Sequence, residues 1–165
     1  GIIPNVEIAE AAGIQCDNGI VVDEGCRTSA ADVFAAGDCT NHPNPLLNRR
    51  LRLESVPNAM EQARVAAANM CGADKTYASI PWFWSDQYEL KLQMVGFSSD
   101  GDTQVLRGSK ADNMFAVFYL KDGAVVAADA VNSPKEFMIC KQLIGKAVDP
   151  AALADPQADL KSLMS

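Results

Sequence analysis

TSAADVFAAGDC occupies positions Thr28 to Cys39, an apolar run of four residues set between polar flanks. Val33-Phe34-Ala35-Ala36, bounded by turn-forming residues on both sides, predicts a fully buried strand. The run stops at Gly37-Asp38, which sets a carboxylate at the carboxyl end of a strand, the position where open α/β sheets bind ligands. Gly37 lets a ligand approach the backbone with no side chain in the way. Asp38 is suited to accept hydrogen bonds from a polyol. An aspartate that caps the following turn fits the same residues, and composition leaves both roles open.

Upstream, Asp17-Asn18-Gly19 reads as a turn into a short strand over Gly19 to Asp23. Downstream, Thr40 to Arg52 carries Pro43, Pro45 and several Asn, and reads as a loop ending in the cluster Arg49, Arg50 and Arg52. A helix follows from Pro57 to Cys71, with Pro at its first position and Gly72 just past its end. Ala59, Met60, Ala63, Ala67 and Met70 recur at three- and four-residue spacing, so a buried face of small side chains is expected, able to lie close to whatever it covers. Residues 73 to 81 read as a connector.

Beyond it the texture changes. Tyr88 to Val95, Thr103 to Arg107, Met114 to Leu120 and Ala124 to Val131 predict strands, the last two joined by Asp122-Gly123, a strong hairpin signal. A helix from Pro134 to Ile144 is expected next, with Ser133 as its cap and Gly145 as its stop. The expected organisation is therefore the tail of an α/β domain over residues 1 to 76, followed by a small α+β domain with a mostly antiparallel sheet over 77 to 165.

Composition narrows the function. A net charge of −7 argues against nucleic acid or an anionic membrane as the main partner, since both demand a basic footprint. No apolar stretch approaches the ~20 residues of a membrane span. Cys16, Cys26, Cys39, Cys71 and Cys140 are widely spaced with no C-x-x-C, which fits reduced thiols in a cytoplasmic protein. His42 stands alone in the sequence, so multi-histidine metal sites are out, and it reads as a surface residue. The opening GIIPNVEIAE lacks the features of a signal peptide, and a chain running at once into ordered-looking sequence from Gly1 is expected to be part of a longer protein.

T-x(4)-VFAAGD resembles the second FAD-binding motif of the two-dinucleotide flavoprotein reductases. That likeness implies that Asp38 holds a ribityl hydroxyl, with Gly37 beside it. ESVPNAMEQAR (Glu54 to Arg64), PWFWSDQY (Pro81 to Tyr88), AVFYL (Ala116 to Leu120) and the SPKEF helix start at Ser133 resemble the NADH-dependent reductases of [2Fe–2S] ferredoxins that serve cytochromes P450 and ring-hydroxylating dioxygenases. The likeness runs the length of the chain.

Several roles are implied by it. Val56 and Pro57 match positions beside the isoalloxazine ring. The helix that starts there, with N–H groups expected free near Asn58 and Ala59, would favour the anionic reduced flavin by about 0.3–1 kcal/mol exposed and up to ~2 kcal/mol partly buried. An ordinary amphipathic core helix fits the same residues. Trp82 and Trp84 share a face on an extended segment; the family places Trp84 at the flavin edge, leaving Trp82 a packing role. Ferredoxins of this class are acidic, so Arg64, which matches a docking position, and the local excess of Arg49, Arg50 and Arg52 are candidates for partner binding, with Lys161 as a weaker addition. A merely solvated face fits the three clustered arginines equally.

By family, NADH gives a hydride to the flavin and electrons leave singly to the ferredoxin. The cofactor does the chemistry, so no catalytic residue is expected in this chain. No G-x-G-x-x-G occurs, and the family carries those pyrophosphate-binding turns upstream. The chain alone is thus expected not to bind NADH and to bind FAD weakly or not at all. A related FAD- and NADH-dependent peroxide or disulfide reductase, and a non-enzymatic partner-binding module, are the competing assignments.

Overall fold

The structure, a computed structural model, describes residues 1–164. It comprises two compact units, Gly1–Ser79 and Ile80–Ser165. No helix among the described residues is long and apolar enough to cross a membrane.

In the first unit a short helix, α1 (Glu7–Ala11), precedes β1 (Ile20–Val21). β1 pairs in parallel with β2 (Thr40–Asn44) through Ile20↔Thr40 and Val21↔Asn41. β2 turns back antiparallel onto β3 (Arg49–Leu51). The segment expected as a loop from Thr40 to Arg52 is therefore a hairpin. Asn44 builds its turn, its Oδ1 accepting from the N–H groups of Leu46 and Leu47 at 3.1 Å each. Pro43 is tolerated because β1 ends at Val21, level with Asn41, so the proline has a strand neighbour on one side only.

Val33 to Ala36 is not a buried strand. Val33 is exposed, and the only bridge among the described residues is Arg27↔Phe34. Its backbone bonds run to one neighbouring loop, Thr28 N–H to Val33 O at 2.9 Å and Ala35 N–H to Cys26 O at 3.1 Å. A fully buried strand needs ladder partners on both sides, and the described residues supply none. Consequently Asp38 does not end a strand. It sits in a turn closed by Thr40 N–H to Gly37 O at 3.0 Å, leading into β2.

The expected helix is present as α2 (Val56–Met70), capped by Ser55 and stopped by Gly72 at φ +87. Its buried face is not the alanine–methionine one: Met60 and Met70 are exposed, while Asn58, Gln62, Ala66 and Asn69 are buried. The polar members are buried because they hold loops. Asn69 Nδ2 donates to Gly25 O and Lys75 O at 2.9 and 2.8 Å, and its Oδ1 accepts from Lys75 N–H at 2.8 Å. Asn58 Nδ2 donates to Leu53 O at 3.1 Å.

The second unit is a five-stranded antiparallel sheet in the order β4-β5-β8-β7-β6, formed by β4 (Trp82–Gln87), β5 (Leu90–Gly96), β6 (Thr103–Ser109), β7 (Met114–Lys121) and β8 (Ala124–Val131). Tyr88, expected to open a strand, lies instead in the β4–β5 turn at φ +53. Asp122 and Gly123, at φ +51 and +79, make the expected tight hairpin. Helices α3 (Pro134–Leu143) and α4 (Pro150–Ala154) bring Phe137, Cys140, Leu143 and Leu153 onto one sheet face against Val95, Phe118, Leu120 and Val125. Ser133 precedes α3 without capping it through its side chain; its hydroxyl donates to Val131 O at 3.0 Å.

Arg107, buried on β6, holds the C-terminal segment by main-chain carbonyls alone. Its guanidinium donates to Leu153 O (3.3 Å), Asp155 O, Pro156 O (3.2 Å) and Ala158 O (2.9 Å). Arg107→Met is expected to lower the stability of the second unit by about 2–3 kcal/mol, since charge-assisted bonds are lost and carbonyls freed. Both tryptophans lie in this unit, so their fluorescence during denaturation reads the change; an unaltered midpoint would mean that the segment is held by its apolar contacts.

Candidate functional site

The first unit brings the Gly37–Asp38 turn against the start of α2. Gly37 has φ +90, and a Cβ placed on it would lie 3.6 Å from Ala59 Cβ, an ordinary contact. Glycine is thus required here for its backbone conformation more than for space. The peptide is pinned from inside the unit by Gln62, whose Oε1 accepts from Gly37 N–H at 2.7 Å. Thr40 Oγ1 lies 2.8 Å from both Gln62 Oε1 and Gly37 O, so its one proton is shared between them.

From the other side, Arg52 donates to Asp38 O at 3.3 Å. The same guanidinium donates to Asn18 Oδ1 at 3.1 Å and pairs with Glu54 at 2.9 Å. Burial pushes the Glu54 carboxyl up, but the hydrogen bond from Arg52, with that from Ile2 N–H, outweighs it and holds the group below its usual range. The Asp38 carboxylate, half-buried, has no hydrogen-bond or ion-pair partner among the described residues. Its acceptor capacity is therefore not used within the described residues.

The helix start offers less than its sequence promised. Ser55 Oγ accepts from Asn58 N–H at 3.3 Å, and Ser55 O accepts from Ala59 N–H at 3.0 Å. Pro57 has no N–H. Val56 N–H is the first-turn donor that neither cap claims. Val56 and Met60, four residues apart and on one side of the helix, are 54% and 50% exposed, flanking the Ala59 that meets Gly37. An apolar shoulder with a free amide thus adjoins a carboxylate on a fixed turn. Such a surface suits a flat heteroaromatic ring carrying a hydroxylated tail.

The candidate arginines divide. Arg50 is committed internally: Nε donates to Asn41 Oδ1 at 2.9 Å and Nη2 to Val22 O at 2.8 Å. Arg52 is committed to the Asp38 turn, with 14% of its side chain exposed. Arg49 is exposed at the start of β3. Arg64 is exposed on α2 and lines an open hollow of about 360 Å³ with Lys75, Glu61 and Tyr77.

Trp84 and Lys161 belong to the second unit. Trp84, 43% exposed on β4, stacks at 5.5 Å on Trp82. Trp82 packs at 6.0 Å on Phe137 and carries Lys141 Nζ 4.2 Å from its ring centroid. Lys161 is exposed in the final turn, its N–H bonded to Asp159 Oδ1 at 3.0 Å.

Three features escaped the sequence. His42 is buried, not superficial, edge-on to Tyr77 at 5.2 Å, and both ring nitrogens lack partners. Burial, with the Arg50 charge adding to it, lowers its pKa to about 4. Gln62 and Arg52 carry the supports of the turn; the polar stripe Asn58, Gln62 and Asn69 on an alanine-rich helix was the available signal. Burial also pushes the Cys26 and Cys140 thiols up to about 11 and about 12, which leaves them unreactive.

The first unit thus holds a fixed Gly-Asp turn against a proline-led helix, and the second a helix-backed antiparallel sheet. The chain belongs to the family described as Reductase C-terminal, which matches residues 82–164. Residues 1–63 match the family described as Pyridine nucleotide-disulphide oxidoreductase. The ferredoxin–NAD(+) reductase component of the anthranilate 1,2-dioxygenase system of Burkholderia cepacia is 51% identical over 99% of this chain and 41% of its own length. The ferredoxin reductase for the CYP199A2 system of Rhodopseudomonas palustris superposes with a TM-score of 0.93 at 40% identity, over 100% of this chain and 41% of that one. The reductase in a covalent putidaredoxin reductase–putidaredoxin complex gives 0.91 at 48% identity, over 99% and 40%. The chain therefore spans about two-fifths of the length of these relatives, as their C-terminal part.

Proposed function

We propose that the chain is the C-terminal portion of a reductase that carries electrons from NADH through FAD to an acidic [2Fe–2S] ferredoxin. Residues 1 to 76 would end its nicotinamide- and FAD-binding regions, and residues 77 to 165 would form its C-terminal domain. The observation that carries the assignment is the unpartnered Asp38 carboxylate on a turn locked beside the exposed start of α2. The residues fit FAD: Asp38 would accept from ribityl hydroxyls, Val56 N–H and the positive helix end would favour the anionic ring, and Val56 and Ala59 would supply an apolar wall with the buried Pro57 behind them. Bound there, FAD supplies the hydride-accepting and one-electron-donating chemistry. This chain's residues hold and orient it and exclude water; none is placed to move a proton. The five free cysteines suit a cytoplasmic setting.

Arg64 is assigned to ferredoxin docking, with Arg49 as a further cation of the first unit; in the second unit, Trp84 is assigned to the flavin edge and Lys161 to docking as a weaker addition. Arg50 and Arg52 are assigned to internal support. Arg64→Glu in the intact protein is expected to raise the KM for ferredoxin about tenfold by placing like charges in contact, with NADH-dependent dye reduction unchanged. An unaltered KM would remove Arg64 from the docking surface. The assignment as a whole is tested by the acceptor preference of the flavin-loaded intact protein: ferredoxin reduction supports it, and peroxide or disulfide reduction in its place overturns it.

A further inference from the structure

Gln62 is fully buried, yet its amide Nε2 has no partner. Leaving an NH2 group dry and unbonded opposes folding, and an apolar residue of similar size would avoid that penalty. What the residue contributes is its oxygen. Gln62 Oε1 accepts from Gly37 N–H, the amide immediately before Asp38, and shares the Thr40 Oγ1 proton beyond it. The backbone carbonyl of Gln62 is in turn met by Cys26 Sγ at 3.6 Å, which ties this turn of α2 to the loop behind it. Gly37 meets Ala59 less than one helical turn before Gln62. On the helix side, the polar tie between α2 and the turn that bears Asp38 is therefore one side-chain oxygen.

We propose that Gln62 is a positioning residue for the flavin: it fixes the Gly37–Asp38 peptide at the distance from Val56–Ala59 that lets the carboxylate and the helix start engage one cofactor together. The inference rests on the FAD assignment and adds to it a residue that does not touch the ligand. Binding groups act together only when held within about 0.5 Å of productive geometry, and at φ +90 Gly37 has no side chain of its own to brace the turn.

The test uses the intact protein, stripped of flavin and titrated with FAD, in four forms: wild type, Gln62→Met, Gln62→Glu and Thr40→Val. Gln62→Met keeps the bulk and loses the acceptor; it is expected to raise the FAD dissociation constant about thirtyfold. Gln62→Glu keeps an acceptor oxygen and is expected to stay within about threefold of wild type, while Thr40→Val, losing one of two donors, falls about fivefold. With FAD saturating, all three variants should bind flavin to the wild-type stoichiometry, which a general loss of structure would not allow. Wild-type FAD affinity in Gln62→Met overturns the inference and leaves the FAD assignment standing. Should Gln62→Met fail to fold, unchanged affinity in Thr40→Val overturns it instead. A wild-type protein that binds no FAD sinks both.

Discussion

Replacing Asp38 with alanine in the intact protein is expected to weaken FAD binding about a hundredfold while leaving the thermal midpoint of the flavin-free protein unchanged. The two halves of that expectation have one cause. Inside the chain the carboxylate bonds to nothing described; Asp38 is held by its main-chain carbonyl through Arg52 and by the Gly37 amide through Gln62. Truncation therefore removes no internal bond. A hydrogen bond to a charged acceptor is worth about 1.5–3 kcal/mol, so losing one costs about ten- to 150-fold in affinity. Asp38→Asn, which keeps one acceptor oxygen, should fall about tenfold. Fluorescence quenching on titration with FAD measures both. Undiminished affinity in Asp38→Ala would reduce Asp38 to the turn-capping role that its sequence also allows.

Acid is expected to destabilise the first unit well above the pH at which its carboxylates titrate. His42 has a pKa near 6.5 when unfolded and about 4 when folded. The unfolded chain thus takes up a proton that the folded one refuses. The sign follows: the contribution to stability is whole above about 6.5 and is lost as pH falls towards 4, amounting to about 3 kcal/mol across that window. The groups that face the ring give the same sense. Desolvation and the Arg50 guanidinium oppose a second charge, and the Tyr77 ring offers no counter-charge. Because His42 is the chain's single histidine, its imidazole resonance can be followed without assignment. It should remain neutral at about pH 5, where an exposed histidine is almost wholly protonated. A midpoint near 6.5 would place the ring in solvent.

The second unit was the easier to read. Alternating side chains and the Asp122-Gly123 turn fix β7 and β8 locally, and the Pro134 helix carries its own start and stop. The β4–β5 turn at Tyr88–Glu89 lacked a recognisable signal, because a non-glycine residue takes the positive φ there, and β4 and α4 were not among the elements read as strand or helix. The first unit misled for reasons of distance. An apolar run such as Val33 to Ala36 looks alike whether or not its sheet neighbours are present, and here the described residues do not include them. The α2 face was misassigned because hydrophobic spacing assumes that burial is apolar, whereas Asn58, Gln62 and Asn69 are buried to satisfy loop backbones. Arg50 and Arg52 looked like docking charges because several of their partners, Val22, Asn18 and Asp38, lie 14 to 34 residues away along the chain. The site itself was half legible. Gly37, Asp38, Pro57 and Ala59 were named from motifs, and in the structure Gly37 lies against Ala59; the bonds that hold the Gly37–Asp38 turn belong to residues whose side chains carry no signature.

The position of flavin in a crystal structure of the intact protein bears most directly on all of this. The ribityl chain should lie on the Asp38 carboxylate with the ring edge against Val56 and Pro57, and with the Gly37 N–H still bonded to Gln62. Flavin bound elsewhere, or that same surface sealed by side chains of the remainder of the protein, would contradict it.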